Sequence, residues 1–318
     1  MSKYRTALAA ALDGTLMTDG GMETTFVFHQ GLDLPGMAAF PLLADEAGRR
    51  TLRAYYDNYG GLAQAHGLGF VLETPTWRAN RDWASPLGYD RETLADANRH
   101  AVGLMLDVRA RHEEPGRPFV VSGNIGPRGD GYFPDRQMTA AEARAYHAEQ
   151  VEVFAGTDAD MVSAFTLNYV DEAVGVVEAA REHAIPVVIS FTVETDGRLP
   201  SGDTLADAIA RTDDRTAGAA AYYMINCAHP THFAAVLRQG GDWLGRVRGI
   251  RANSSKKSHA ELDNSTELDT GNPEELASEY LELRAALPTL SVVGGCCGTD
   301  HRHVDAICRR LATAPAPA

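Results

Sequence analysis

Short runs of β-branched and aromatic residues alternate with longer segments of helical periodicity along the chain. Such runs predict strands, and apolar positions that repeat every three or four residues predict helices. Eight strand candidates are each followed by a helical segment: 15–21, 68–74, 118–124, 159–166, 186–193, 221–227, 246–253 and 290–297. Alternating strands and helices pair in parallel through right-handed crossovers, and eight such units close a (β/α)₈ barrel.

Helix-start signals support this alternation. Thr139 and Glu142, for example, have the spacing of a capping box. A doubly wound open sheet is the competing fold, but "DGGMET" after the first strand lacks the G-x-G-x-x-G pattern of dinucleotide binding. We therefore expect an α/β protein with a single (β/α)₈ barrel domain over 1–318, a short N-terminal helix, and a loose tail at about 312–318.

Composition narrows the function. Hydrophobic residues make up 44% of the chain and charged residues 23%, as in ordinary globular proteins. The formal net charge of −14 argues against nucleic-acid binding, which needs a basic face. No run reaches the roughly 20 apolar residues that span a bilayer, and the first residues lack a signal-peptide pattern. We therefore expect a cytoplasmic protein with small-molecule partners, and these patterns do not specify its oligomeric state.

Three of the four cysteines fall at predicted strand ends. Cys227 ends the sixth strand, Cys296 and Cys297 end the eighth, and Cys308 lies in the last helical segment as a small buried residue. In a barrel the carboxyl ends of all strands share one rim, which carries the active site. Three thiols on one rim favour Zn²⁺, which binds thiolates and in catalytic sites keeps one position open. Buried cysteines without a metal are the alternative.

A zinc ion held by three thiolates carries a negative net charge. Such a centre suits binding a further thiol as thiolate better than generating hydroxide. The expected reaction is attack by a substrate thiolate on an electrophilic carbon, such as an activated methyl group. A zinc hydrolase would need a water-activating base and more nitrogen or oxygen ligands, which the strand ends do not offer. Other strand-end residues are expected to line the substrate pocket: Glu73, Asn124, Asn226 and Gly295.

Three short motifs in the chain resemble the signatures of a known protein family. "DGGMET", "NCAHP" and "GGCCGT" resemble signatures of the homocysteine S-methyltransferase family, and "ISFTVETDGRLPSGDTLADAI" resembles its fifth strand and helix. The similarity spans nearly the whole chain. It implies a zinc-dependent barrel that moves a methyl group from a small activated donor to homocysteine, giving methionine. The zinc ligands implied by the resemblance are Cys227, Cys296 and Cys297.

The resemblance also implies substrate contacts. Asp19, Gly20 and Gly21 correspond to residues that help hold the amino-acid end of homocysteine in the family. Trp77 stands where relatives carry an aromatic residue near the substrates. We expect no separate folate- or cobalamin-binding module, since the barrel uses the whole chain.

Two positions depart from the family pattern. Phe165, followed by Thr166, stands where the family has a glutamate that binds the amino group of homocysteine. Glu23 stands where relatives commonly have a small residue. Either Glu23 or Glu73 replaces the missing carboxylate, or the acceptor is a different small thiol, or Phe165 only narrows the pocket. A zinc- or thiol-binding protein without turnover is a further alternative.

Two further features bear on the methyl donor and on access. A sulfonium or quaternary ammonium donor is a cation and favours an aromatic cage. Loop aromatics that are candidates for such a cage, or that pack against one another instead, are Trp77, Trp83, Tyr132 and Phe133. The long polar segment 251–269 is either a lid over the site or a solvated loop.

Overall fold

The computed structural model describes residues 2–134, 136–265 and 267–313. Its eight strands form a closed barrel in which every pairing is parallel and β1 pairs with both β2 and β8. The strands are β1 Leu16–Met17, β2 Gly69–Glu73, β3 Phe119–Ile125, β4 Met161–Leu167, β5 Val187–Phe191, β6 Tyr222–Asn226, β7 Val247–Ala252 and β8 Val292–Gly295. The expected (β/α)₈ fold is confirmed.

A long helix follows each strand and covers the outside of the barrel. These helices are α3 Glu46–His66, α5 Arg91–His112, α6 Ala140–Ala155, α7 Val170–Glu182, α8 Leu205–Thr216, α9 Pro230–Arg238, α11 Pro273–Ala286 and α12 His301–Thr313. Four short helices complete the set: α1 Leu8–Ala11, α2 Met22–Thr24, α4 Arg81–Ala84 and α10 His259–Asp263. Across the described ranges, no helix is both long and apolar enough to cross a bilayer.

Local signals and boundaries mostly agree with the sequence. The Glu142 N–H donates to the Thr139 hydroxyl at 3.3 Å and the Thr139 N–H donates to Glu142 at 2.8 Å, which confirms the capping box. The first strand is shorter than the predicted 15–21: beyond Met17 the chain keeps backbone hydrogen bonds to β8 and the turn after it, such as Gly21 N–H to the Thr299 carbonyl oxygen at 3.0 Å, but has no further paired residues with β2. Of the expected tail, 312 and 313 belong to α12, and the rest lies outside the described residues.

The N-terminal helix closes the end of the barrel opposite the rim. Leu8, Ala11 and Leu12 are buried, and they pack into the same apolar cluster as the side chains inside the barrel. Barrel residues of that cluster include Leu16, Val71, Val120, Met161, Val188, Tyr222 and Val292. A separate, larger cluster lies between the strands and the outer helices. The barrel is therefore a packed core that is open only at the rim.

Asp160, just before β4, joins this end of the barrel to the helices. Its Oδ2 accepts hydrogen bonds from Arg109 Nη1 at 2.7 Å and from the Val121 N–H at 2.9 Å, and its Oδ1 accepts one from the Tyr4 N–H at 2.7 Å. The carboxylate is fully buried. One side chain thus fixes the N-terminal segment, α5 and the start of β3.

Replacing Asp160 by asparagine removes the charge that balances the buried Arg109 guanidinium. We expect the free energy of unfolding to fall by about 3 kcal/mol, because an uncompensated buried charge is strongly destabilising. Urea unfolding followed by circular dichroism measures this change.

Asp96→Asn is the matched control. The Asp96 and Arg99 side chains pair on the surface of α5 and are each 55% exposed. The free energy of unfolding should therefore fall by less than about 1 kcal/mol in this variant. Equal losses in the two variants would contradict the role given to Asp160.

Candidate active site

The three cysteines expected at the rim converge on one point. Cys227 follows β6, and Cys296 and Cys297 follow β8. Their sulfur atoms all lie within 4.8 Å of one another, and those of Cys227 and Cys297 are 3.9 Å apart. The sulfur atoms of Cys227 and Cys296 are in direct contact. Because metal ligands must be thiolates, metal binding by all three cysteines requires that they are all reduced. Cys308 is buried in α12, as predicted.

The turn after β8 is packed too tightly for side chains at its glycines. A Cβ on Gly295 would collide with the Thr299 side chain. On the facing turn after β1, a Cβ on Gly21 would lie 2.6 Å from the carbonyl oxygen of Cys296. Only glycine permits such close approach of two backbones. The glycines of the two signatures therefore bring the β1 and β8 turns into contact.

Asn226, the last residue of β6, fixes β6 against β4. Its Oδ1 accepts hydrogen bonds from the Thr166 N–H at 2.9 Å and the Ser190 hydroxyl at 2.6 Å, and its amide donates to the Thr166 hydroxyl at 2.9 Å. Thr166 and Cys227 have φ angles of 63° and 53°, a strained backbone for residues with side chains. The network therefore holds the strained turn that brings Cys227 to the other thiols.

A buried ion pair lies beside the thiols. Arg251, on β7, donates from Nη2 to Asp19 at 2.6 Å and from Nε to the carbonyl oxygen of Gly295 at 3.0 Å. The other Asp19 oxygen accepts a hydrogen bond from the Tyr55 hydroxyl at 2.9 Å. Burial disfavours the charged guanidinium and lowers the pKa of Arg251. The negative charges of Asp19 and Glu73 favour the charged form, so the pKa is raised on balance. Arg251 is thus a fixed positive charge at the rim.

Two carboxyl groups of the pocket are held in surroundings that disfavour their charge. Glu73 is 3% exposed, its Oε2 has no hydrogen-bond partner in the described part of the chain, and burial raises its pKa to about 7. Burial also raises the pKa of Glu23, with the negative charge of Asp19 acting in the same direction. Both groups are therefore less often ionised at neutral pH than exposed glutamates.

Phe165 presents an apolar surface to the pocket from β4. Its ring centroid lies 5.1 Å from the guanidinium carbon of Arg251, and its side chain is almost completely buried. The Phe165 carbonyl oxygen accepts a hydrogen bond from the Trp77 indole at 3.4 Å. The two aromatic side chains therefore line one side of the pocket together.

The loop aromatics do not form an open cage. The guanidinium of Arg78 lies 4.0 Å from the ring of Trp77 and 3.5 Å from the ring of Trp83, so the protein itself supplies the cation between them. Phe133 is 70% exposed. The rings of Trp77 and Trp83 therefore both contact Arg78, and an aromatic cage for a cationic donor stays a prediction.

The polar segment 251–269 forms a wall of the site. His259, on α10, donates from Nε2 to the Cys227 carbonyl oxygen at 2.6 Å, and its ring lies 4.1 Å from the ring of Tyr132. The Tyr132 hydroxyl is 3.8 Å from the Cys297 sulfur. The described part of the segment therefore packs against the turn that carries Cys227, which decides against a freely solvated loop.

A pocket of about 520 Å³ opens at this rim. Of the predicted site residues it is lined by Asp19, Gly20, Gly21, Glu23, Glu73, Trp77, Asn124, Phe165, Thr166, Asn226, Cys227, Cys296 and Cys297. Gly295 is the exception, because it lies behind the lining and its carbonyl anchors Arg251. Sequence reasoning missed Arg251, Arg78 and His259. An arginine near the carboxyl end of β7, three residues after Arg248, was the one available signal for Arg251.

Comparison with known proteins agrees with this architecture. A family model described as homocysteine S-methyltransferase matches residues 16–311. Homocysteine S-methyltransferase 4 of Zea mays is 24% identical over 94% of this chain and 90% of its own length. Selenocysteine Se-methyltransferase of Brassica oleracea var. italica is 23% identical over 94% and 89%, respectively.

Solved structures show the same fold. The oxidized form of the homocysteine methyltransferase MmuM from Escherichia coli aligns with a TM-score of 0.75 and 21% identity, covering 96% of this chain and 99% of that one. The metallated form of the same protein aligns with a TM-score of 0.74 and 20% identity over the same shares. The barrel therefore extends over nearly the whole length of both chains.

The buried Glu73 carboxyl predicts a pH-dependent stability. Its pKa of about 7 lies above the ordinary value of a glutamate, so the fold favours the neutral form and loses stability as the pH rises from that ordinary value to about 7. Between pH 5 and pH 8 we expect wild type to lose up to about 3 kcal/mol relative to Glu73→Gln. Urea unfolding of both proteins at each pH measures the difference, which should be smallest at pH 5. A constant difference would show that Glu73 ionises normally.

Proposed function

The chain belongs to the homocysteine S-methyltransferase family, and we propose that it transfers a methyl group from a small activated donor to a thiol bound beside one Zn²⁺. The proposed zinc ligands are Cys227, Cys296 and Cys297. The observation that carries this proposal is that three sulfur atoms from two separate turns lie close together. Cys227 and Cys296, one from each turn, are 69 residues apart in sequence.

The three sulfur atoms suit zinc in their chemistry, and one pair of them also has the spacing of zinc ligands. Tetrahedral zinc with Zn–S bonds of about 2.3 Å requires roughly 3.8 Å between ligating sulfur atoms. The sulfur atoms of Cys227 and Cys297 are 3.9 Å apart. Three protein ligands leave the fourth position for the acceptor thiol. Because the ligands must be thiolates, we infer that the protein works in a reducing compartment such as the cytoplasm.

Bound zinc would lower the pKa of the acceptor thiol, so that it reacts as a thiolate at neutral pH. The chain's own groups hold the surroundings in place. Asn226 fixes the strained turn at Cys227, His259 bonds to the carbonyl oxygen of Cys227, and the Tyr132 hydroxyl lies beside the sulfur of Cys297. In the transfer, the acceptor sulfur bonds to the methyl carbon while the donor departs with the electron pair of the broken bond.

Homocysteine is the acceptor that family membership favours, with methionine as the product. In this assignment Asp19, Gly20 and Gly21 contact its amino-acid end. A different small thiol is the second candidate. Phe165 and Arg251 favour it, since an apolar ring and a cation offer no ionic partner to an ammonium group.

Replacing Cys297 by alanine should abolish both zinc binding and methyl transfer, because two remaining thiolates make an incomplete ligand set. We expect zinc content to fall from about one ion per chain to near zero, and the transfer rate to fall by at least about 10³-fold. Metal analysis by mass spectrometry and detection of methylated thiols, both on the same reduced sample, measure these changes.

Cys308→Ala is the matched control, because this cysteine is buried in α12 away from the pocket. It should keep its zinc and its activity. Zinc and activity that survive Cys297→Ala would overturn the proposal, whereas zinc and thiol binding without methyl transfer to any thiol would indicate a binding protein.

A further inference from the structure

The pocket next to the thiols holds a positive charge with unused hydrogen-bonding capacity. Arg251 donates from Nε to Gly295 and from Nη2 to Asp19 and the Gly20 carbonyl oxygen. Its Nη1 has no acceptor among the residues that the structure describes, although the side chain lines the pocket. Since a guanidinium binds a carboxylate through two parallel N–H donors, this nitrogen marks a place for an anionic group of a ligand.

Asp19 is the negative group nearest to Arg251, and it is fully engaged. One oxygen accepts from Arg251 at 2.6 Å and the other from the Tyr55 hydroxyl at 2.9 Å. An ammonium group that took Asp19 as its partner would have to compete with a buried guanidinium that already holds it.

The pocket wall opposite Arg251, formed by Phe165, has no negative group that could pair with an ammonium group. Phe165 presents its ring 5.1 Å from the guanidinium, and its side chain has no acceptor. A second cation placed there would meet the positive charge of Arg251 and lose its water shell, and both effects are unfavourable. The methylene carbons of a ligand, by contrast, suit this ring.

The remaining carboxyls of the pocket are weak counterions. Glu73 and Glu23 are both held where burial raises the pKa, in the case of Glu73 to about 7. At neutral pH Glu73 carries a proton part of the time. A protonated carboxyl donates a hydrogen bond to an anion, and its Oε2 has no other partner in the described ranges.

We infer that the acceptor is a short aliphatic thiol that carries a carboxylate and no ammonium group, with Arg251 as the residue that selects it. The inference rests on the proposed function, since it assigns the head group of the thiol that the three cysteines serve. Nη1 of Arg251 binds the carboxylate, and Phe165 packs against the carbon chain between carboxylate and sulfur.

The transfer itself is balanced for a sulfonium donor. The acceptor thiol loses its proton to solvent as it becomes a thiolate. A sulfur–carbon bond forms to the methyl group, and the donor's sulfur–carbon bond breaks with its electron pair, leaving a neutral sulfide. The products are a methylthio carboxylate and that sulfide, and no oxidant or reductant is needed.

Three thiols of matched length test the inference. Homocysteine carries both head groups, 4-mercaptobutanoate lacks the ammonium, and 3-aminopropane-1-thiol lacks the carboxylate. With zinc-loaded protein and the sulfonium donor S-methylmethionine or S-adenosylmethionine, we expect kcat/KM for 4-mercaptobutanoate to exceed that for homocysteine by at least about tenfold. The aminothiol should be the poorest acceptor.

Binding can be measured without a donor. The thiolate-to-cobalt absorption of the cobalt(II)-loaded protein, already present from its three cysteines, should intensify on titration as a fourth thiolate binds. The dissociation constants of the three thiols should follow the same order. Binding or turnover that favours homocysteine would overturn the inference while leaving the proposed function intact. Absence of metal binding and of methyl transfer to all three thiols would instead contradict the proposed function itself.

A pair of variants tests the residue assignment. Phe165→Glu places a carboxylate opposite Arg251 and should shift the preference toward homocysteine by at least about tenfold. Phe165→Leu keeps the wall apolar and should preserve the wild-type order. Circular dichroism and thermal unfolding establish that both variants are folded. The same preference in both variants would show that this wall does not select the head group.

Discussion

Closure of the barrel is the constraint on which the site depends. β1 pairs with β2 on one side and β8 on the other, so the carboxyl ends of the first and last strands meet at one rim. The Tyr280 hydroxyl joins β7 to β8 beside this closure: it accepts a hydrogen bond from the Ala252 N–H at 2.9 Å and donates to the Gly294 carbonyl oxygen at 2.5 Å. Without the pairing of β6 with β7 and of β7 with β8, cysteines so far apart in sequence would not meet.

Arg251 links this scaffold to the electrostatics of the pocket. Its hydrogen bonds join β7 to the turns after β1 and β8. Buried ion pairs contribute little net stability compared with apolar residues of the same volume. A charge pair at this position is therefore better explained by a ligand that meets the free Nη1 than by the stability of the barrel.

The fold and the position of the thiols could be predicted from the sequence, because both depend on patterns that are local or periodic. Alternating strands and helices predicted the barrel, and Cys227, Cys296 and Cys297 were placed on one rim by counting strands. Contacts between distant side chains were beyond such reasoning. Nothing in the motifs shows that Arg251 crosses to Asp19 or that Arg78 fills the space between two tryptophans.

Glycine positions illustrate the same limit. The signature glycines predicted a crowded turn, which the structure contains, but Gly295 lies behind the pocket lining instead of within it. Adjacent residues at a strand end can face opposite sides, and only the register of β8 against β7 decides which side each one takes.

The central claim is that the fold assembles three thiolates around a metal ion that keeps one position for a substrate thiol. X-ray absorption at the zinc edge of the reduced protein tests it most directly. The account predicts three sulfur neighbours at about 2.3 Å, rising to four when an acceptor thiol is added. A first shell dominated by nitrogen or oxygen, or a sulfur count that does not change with the thiol, would contradict it.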